Sequence, residues 1–394
     1  MLDIQAIRSE FPALTRTSGG SNHVHLDNAA TTLQPRGVIT AVSDFYGRGH
    51  SPAVVSTLYA DARARIAHVV GASNPECVVF CASATHAIHL VAASWGNANI
   101  GVDDEIVVSS AEHVANLACW QELVRRRSAH LRMIPVDAAG AFPADTLRKA
   151  LSKRTKLVAI THVSNVSGAV SPVREIVEAA HGVGAYVLID GAQAVAHMPV
   201  EFDKLDADFY AFSGHKVFAP TGIGVLLGKS TCLDTLAPVL LGANAFDAFT
   251  LQDQAFAPVP TRLEGGTANI AGAIALAEAL EFTERFGWDE IADHERRLCE
   301  RLDTSLAPIE GVSVLTQNGA AIGIRSFVVD GRSHSDIERH LRDRSIDIRA
   351  GHLSAQTLLH QFGVDSALRA SIAIYNDAED IDRFVAALAA SVRK

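Results

Sequence analysis

The chain predicts an α/β fold with a large, mostly parallel mixed-sheet α/β/α domain and a smaller α+β domain at the C-terminal end. Three observations carry that expectation. From about residue 60 to 235, short apolar runs rich in β-branched residues alternate with helical patterns, the rhythm of crossover units that build parallel sheets. A length of 394 residues, 48% hydrophobic and 20% charged, is enough to bury a large core and suits two domains better than one. Between about 243 and 267 the composition changes to an irregular mixture of Ala, Phe, Gln, Pro and Gly that ends in Arg262-Leu263-Glu264-Gly265-Gly266-Thr267. This segment reads as an active-site loop and interdomain passage. The expected boundaries are 16–262 for the large domain and 263–394 for the small one, completed by the N-terminal helix within 1–15.

Taken in order, the N-terminal residues 3–10 read as a helix and residues 47–59 as a loop. Strands are expected at Cys77-Val78-Val79-Phe80, Glu105-Ile106-Val107-Val108, Leu131-Arg132-Met133-Ile134 and Lys156-Leu157-Val158-Ala159-Ile160. Three more follow at Tyr186-Val187-Leu188-Ile189-Asp190, Asp208-Phe209-Tyr210-Ala211-Phe212 and Gly224-Val225-Leu226-Leu227. Helices at 85–95, 113–127, 143–151 and 173–182 separate them, and two longer ones follow at 269–286 and 288–305. The last part, 312–394, gives strand, strand, helix, strand and helix, with 322–329 and 370–375 as the clearest strands.

A net charge of −10, with no basic run longer than Arg125-Arg126-Arg127, argues against nucleic acid as a partner. Five cysteines at 77, 81, 119, 232 and 299 show no paired zinc spacing, so no metal is expected, and their scatter fits reduced thiols in the cytoplasm. The first residues mix charge into an apolar pattern and lack a signal-peptide core. No run approaches the roughly 18 apolar residues of a membrane span.

Ligands in such sheets gather at the carboxyl ends of the strands, and five segments there carry polar groups. Lys216 follows the strand ending at Phe212, and Asp190 ends another. A lysine amine at the end of one buried strand and an acid at the end of another suit pyridoxal 5′-phosphate (PLP), whose aldehyde takes an amine as a Schiff base and whose ring nitrogen needs a carboxylate. A buried aspartate without a partner is costly, so a cationic ring is an economical explanation for Asp190 at a strand end. Ser83-Ala84-Thr85 opens a helix whose positive end can cradle a phosphate, although a helix cap explains that turn equally well in isolation. His113 is placed to stack on the ring, with a structural histidine as the alternative. Asn165 and Gln193 can reach the phenolic oxygen, and Ser213 and His215 can hold phosphate. Each signal alone is weak, but the set in this order is specific.

On these residues the sequence resembles the class V, fold-type I PLP enzymes, and within them the cysteine desulfurase and selenocysteine lyase group. The resemblance runs from His25-Leu26-Asp27-Asn28-Ala29-Ala30-Thr31-Thr32 to Arg369-Ala370-Ser371-Ile372-Ala373-Ile374-Tyr375-Asn376 and is densest from Asp190 to Gly228. It implies Lys216 as Schiff-base lysine, Asp190 at the ring nitrogen, His113 stacked on the ring, and Asn165 and Gln193 near the phenolic oxygen. It also implies phosphate contacts from Thr85, Ser213 and His215, and from Thr267 of a neighbouring subunit, hence a homodimer with shared active sites. Arg369 matches the substrate-carboxylate arginine, and its planar fork suits a carboxylate. Arg349 is a further positive group at the mouth, and Asn28 is placed on the substrate side.

Two departures stand out. Where the desulfurases carry Arg-x-Gly-His-His-Cys-Ala, this chain has Arg349-Ala350-Gly351-His352-Leu353-Ser354-Ala355, and a serine hydroxyl cannot form a persulfide. The segment 47–59 only loosely resembles the family's substrate-side loop. The expected activity is therefore release of a substituent from a cysteine-like or other β-substituted amino acid, of the carbon–sulfur or carbon–selenium lyase or desulfinase type, yielding alanine or pyruvate. An aminotransferase, epimerase or decarboxylase of specialised amino-acid metabolism is the alternative on the same scaffold, and a non-catalytic partner of an iron–sulfur assembly system is the alternative from another class.

Overall fold

All seven apolar runs pair into one sheet. In the computed structural model, which describes residues 2–15, 17–18, 21–315 and 322–392, the order across the sheet is Val78–Cys81, Gly224–Gly228, Phe209–Ser213, Tyr186–Asp190, Thr155–Thr161, Glu105–Ser109 and His130–Ile134. Gly224–Gly228 runs antiparallel to both neighbours, and the other pairings are parallel. Alternate residues of the central strands feed two apolar layers, as the two-residue period of a strand requires. Val107, Val158, Ile160, Val187 and Ile189 join the layer on one face, and Ile106, Val108, Leu157, Ala159 and Leu188 the layer on the other. The expected domain boundary at residue 16 lies outside the described residues.

The C-terminal part forms a four-stranded antiparallel sheet in the order Val312–Val314, Ile324–Val329, Ala367–Ser371 and Arg349–Gly351. Helices Trp288–Leu306 and Ala378–Val392 cover it through Leu298, Leu302, Phe384 and Leu388, which pack with Phe327 and Leu368. The N-terminal helix Ile4–Ser9 is tied to this part by Arg8, whose Nη1 donates to the Tyr375 carbonyl at 2.7 Å and to Asp380 Oδ2 at 2.8 Å. One apolar cluster continues from the large sheet into Leu353, Leu358, Ala373 and Tyr375, so the two parts share a core. Among the described residues no helix is long and apolar enough to cross a membrane.

Three segments differ from the sequence expectation. Most of 47–59 is helix, because Pro52 starts an 18-residue helix, Pro52–Val69, from the extended Ser51. The turn signals mark only the break at Gly49, whose φ of 62° ends the preceding helix Arg36–Arg48. Inside 243–267, strands Phe246–Phe249 and Gln254–Phe256 form a hairpin. The strand expected at 370–375 ends at Ser371, where Asn376 takes over: its Oδ1 accepts from Ala373 N at 2.8 Å and closes a turn.

Candidate active site

The carboxyl ends of the parallel strands open on a cavity of about 530 Å³. At one wall the strand Val78–Cys81 turns into helix Ala84–Val91. Ser83 caps that helix by accepting from His86 N at 3.2 Å, and Ser213 Oγ accepts from Ala84 N at 2.8 Å. The turn can lie this close to the sheet because residue 224 is glycine, since a Cβ there would stand 2.7 Å from Ser83 Cα. Thr85 and His215 complete this wall. Burial and the neighbouring Lys216 hold the His215 imidazole down to about 4, so it is neutral near pH 7.

At the floor Asp190 ends the strand Tyr186–Asp190, buried, with Oδ1 accepting from Ala192 N at 3.0 Å. Among the described residues no ion pair reaches its carboxylate. Beneath it His162 Nδ1 meets the Tyr210 hydroxyl at 2.9 Å, and Tyr210 passes so close to Gly191 that no side chain fits there. Lys216 ends the short turn Gly214–Lys216 and lines the cavity. Burial lowers its amine to about 8; Asp190 opposes the effect and the charge of Arg369 adds to it.

His113 Nδ1 accepts from Ala115 N at 3.1 Å, which leaves the proton of the neutral ring on Nε2. Burial, with Lys216 next, pushes its pKa below the ordinary value. The preceding residue was missed by sequence reasoning. Glu112 is fully buried, accepts from Ser109 Oγ and from Asn116 Nδ2, and is pushed up to about 8 by burial. Asn116 in turn accepts from Trp120 Nε1 at 2.9 Å, so a buried polar chain fixes the base of His113.

The mouth is built by residues far apart in sequence. Arg369 is buried, with Nη1 donating to the Asn165 carbonyl at 3.0 Å and Nη2 to Asp27 Oδ1 at 3.2 Å. The exposed Arg349 reaches the other oxygen of the same Asp27 at 2.7 Å. Two guanidiniums thus share one carboxylate, and the Arg369 Nε is buried without a hydrogen-bond partner. The loop after Arg349 crosses the cavity with Leu353 and Ser354 both at φ 52°, a left-handed pair that costs energy in any residue with a Cβ. Backbone anchors hold it: Asn165 Nδ2 donates to the Leu353 carbonyl, and Val114 N to the Ser354 carbonyl, each at 2.8 Å. Gln193 spends one amide proton on the Ala29 carbonyl at 2.7 Å and keeps the other.

The cavity therefore brings together every site residue expected from sequence except two. Asn28 is fully buried behind the wall, where its amide donates to the Ser371 carbonyl at 2.7 Å and its oxygen accepts from the Tyr375 hydroxyl; Ala29 and Ala30 face the cavity instead. Thr267 is exposed and does not line the cavity of its own chain. Asp27, which organises both arginines, had no signal in the sequence beyond its place in the motif containing Asn28.

These walls fit PLP. Hydroxyls and a helix start face one end, a lysine amine of lowered basicity lies in the cavity, and a buried carboxylate has no cation of its own. That last feature is what a protonated pyridine ring would satisfy. Fold and site together define a PLP-dependent enzyme. The chain belongs to the class V aminotransferase family, which matches residues 24–384. It is 40% identical to a probable cysteine desulfurase of Halalkalibacterium halodurans, over 97% of this chain and 96% of that one. It is 41% identical to a cysteine desulfurase of Synechococcus elongatus over 98% of this chain, but spans only 63% of that longer relative. Among solved structures, the cysteine desulfurase CsdA of Escherichia coli superposes with a TM-score of 0.93 at 33% identity, covering 100% of this chain and 99% of that one.

Proposed function

We propose that this enzyme releases a substituent from Cβ of a cysteine-like or other β-substituted amino acid, as a lyase or desulfinase, without carrying the substituent on a protein thiol. The observation that supports this is the identity of the group at the cavity mouth. Ser354 lines the cavity where the resemblance to cysteine desulfurases puts their persulfide cysteine. The five thiols of the chain do not line it, and burial raises the pKa of each, to about 12 for Cys119, Cys232 and Cys299. A protonated thiol in the core is a poor nucleophile.

When bound, PLP supplies an aldehyde that condenses with amines and a ring that accepts the electron pair of a bond broken at Cα. Thr85, Ser213 and the neutral His215 hold its phosphate. Asp190 would hold the proton on the ring nitrogen, and His113, Asn165 and Gln193, which line the same cavity, would contact the ring and its phenolic oxygen. Arg369 and Arg349 receive the substrate carboxylate, which supplies the negative charge that Asp27 alone divides between them. Lys216, whose amine lies in the cavity with lowered basicity, would take the proton from the substrate Cα. A substituent that leaves Cβ with its bonding pair would end in pyruvate, and a sulfinate that leaves as sulfur dioxide, its bonding pair staying on Cβ to be protonated, would end in alanine. Thr267, exposed in its own chain, completes the phosphate site of a neighbouring copy in a homodimer. The division into 16–262 and 263–394 with 1–15 belongs to the same proposal.

The test incubates the purified holoenzyme with cysteine, selenocysteine, cysteine sulfinate and cystine, and assays alanine, pyruvate and the released group. Turnover of at least one substrate without a 2-oxo acid is expected. Turnover that depends on a 2-oxo acid acceptor would mean transamination and overturn the reading.

A further inference from the structure

Outside the cavity, one group of side chains with metal-ligand chemistry converges among the described residues: His23, His25 and Asp347, whose ligand atoms all lie within 4.8 Å of one another. The two histidines are two residues apart in extended chain, so their rings fall on one side of it. Asp347 stands opposite His25 in the parallel pairing of Val24–His25 with Ile346–Asp347. Its Oδ2 lies 2.7 Å from His23 Nε2 and 3.4 Å from His25 Nδ1.

The outer partners make this more than a surface ion pair. His25 Nε2 is 2.9 Å from the Thr31 carbonyl, which can only accept, so Nε2 carries the ring proton. The Nδ1 then faces a carboxylate oxygen at 3.4 Å, and either a second ring proton or a metal ion stands between the two acceptors. Imidazoles tethered to backbone carbonyls are the usual support of metal-ligating histidines. The Asp347 side chain is 37% exposed and that of His23 24%, so an ion has an entry path and water a fourth position.

We propose that His23, His25 and Asp347 bind a divalent transition ion of the zinc class. Two imidazole nitrogens and one carboxylate oxygen suit zinc and its neighbours, whereas calcium and magnesium take oxygen ligands. Bonds of about 2.0–2.1 Å in a tetrahedral arrangement put ligand atoms roughly 3.3 Å apart. The pair at 3.4 Å already has this spacing, and the pair at 2.7 Å would open by about 0.6 Å to reach it. The ion would staple two short strands whose next polar residues are Asp27 and Arg349, the ion pair at the cavity mouth. The site is independent of which reaction the cavity performs.

The test titrates purified holoenzyme with Zn2+ by calorimetry and with Co2+ by visible absorption, in the parent chain and in His23→Gln and Asp347→Asn variants. One ion per chain is expected, with the d–d bands of low-coordinate Co2+. Each variant should bind at least about tenfold more weakly, the loss that even an outer-shell partner of a metal ligand causes. Absence of heat and of Co2+ bands in the parent would overturn the proposal, as would unchanged binding in His23→Gln, which would place the metal elsewhere. If Asp347→Asn does not fold, His23→Gln decides alone.

Discussion

Lys216 combines two properties that usually exclude each other, a buried position and a reactive amine. Burial lowers its pKa to about 8, because the charged form loses more solvation than Asp190 returns. The neutral amine is the form that attacks the aldehyde of PLP, and its fraction falls about tenfold per pH unit below the pKa. The rate at which the apoprotein takes up PLP, followed by cofactor absorbance, should therefore climb about tenfold per pH unit below about pH 8 and level off above it. A rate independent of pH between 6 and 8 would contradict the lowered pKa. Ser354 makes the complementary case, since its backbone is already held at the cavity by the Val114 amide. Ser354→Cys changes only the nucleophile, so incubation with cysteine should yield a persulfide on the loop peptide, detected by mass spectrometry, that the parent chain never shows. No persulfide in the variant would mean that the loop positions its side chain away from the leaving group.

Helix Pro52–Val69 and the irregular segment around Glu264 depend on each other through one ion pair. Arg63 meets Glu264 with two bonds of 2.8 Å, and Glu264 Oε1 also accepts from Phe80 N at 2.6 Å, so the acid ties the segment to the edge strand of the sheet. Both side chains are nearly buried. Arg63→Ala should cost about 3–5 kcal/mol in urea unfolding, because it leaves an uncompensated charge rather than merely removing a contact. A loss below about 1 kcal/mol would mean that water reaches the acid, as it does for exposed pairs. Elements of this kind also mark the limit of what sequence shows. Six of the seven strands were legible because apolar runs between turn residues report burial directly, whereas the edge strand His130–Ile134 is mostly exposed; the site residues were legible because they follow buried strands. The helix at 52–69 was hidden by Gly47, Gly49 and Pro52, which look like loop although proline is well placed to open a helix. The Asp27–Arg369 pair joins residues 342 apart in the chain, and no local pattern encodes such a contact. Asn28 was assigned to the substrate side from its place in the motif His25–Thr32, yet its own side chain is consumed by Ser371 and Tyr375.

At the scale of the whole molecule, the unexplained surface lies around the hairpin of Phe246–Phe249 and Gln254–Phe256. Leu251 at its tip is 94% exposed, Phe249 and Leu241 each 64%, and Phe256, Val239 and Leu240 are also open to solvent. Single exposed apolar residues are ordinary, but a cluster of this kind marks a surface that is covered. The exposed Thr267 lies in the same stretch of chain, eleven residues beyond Phe256, and the resemblance to the family gives it a phosphate role that its own cavity does not use. In the proposed homodimer a second copy of the chain would answer both observations, covering the apolar surface and receiving Thr267 at its own phosphate wall. Sedimentation of the holoenzyme should therefore give twice the chain mass of 41.9 kDa. Phe249→Asp combined with Leu251→Asp should shift it toward the single-chain mass and weaken PLP retention together. Thr267→Ala should leave the dimer intact and weaken PLP binding by about tenfold or more, the loss expected for one hydrogen bond to a charged group. A dimer whose PLP affinity ignores Thr267→Ala would separate assembly from cofactor binding, and a single-chain mass in the parent protein would refute the shared site.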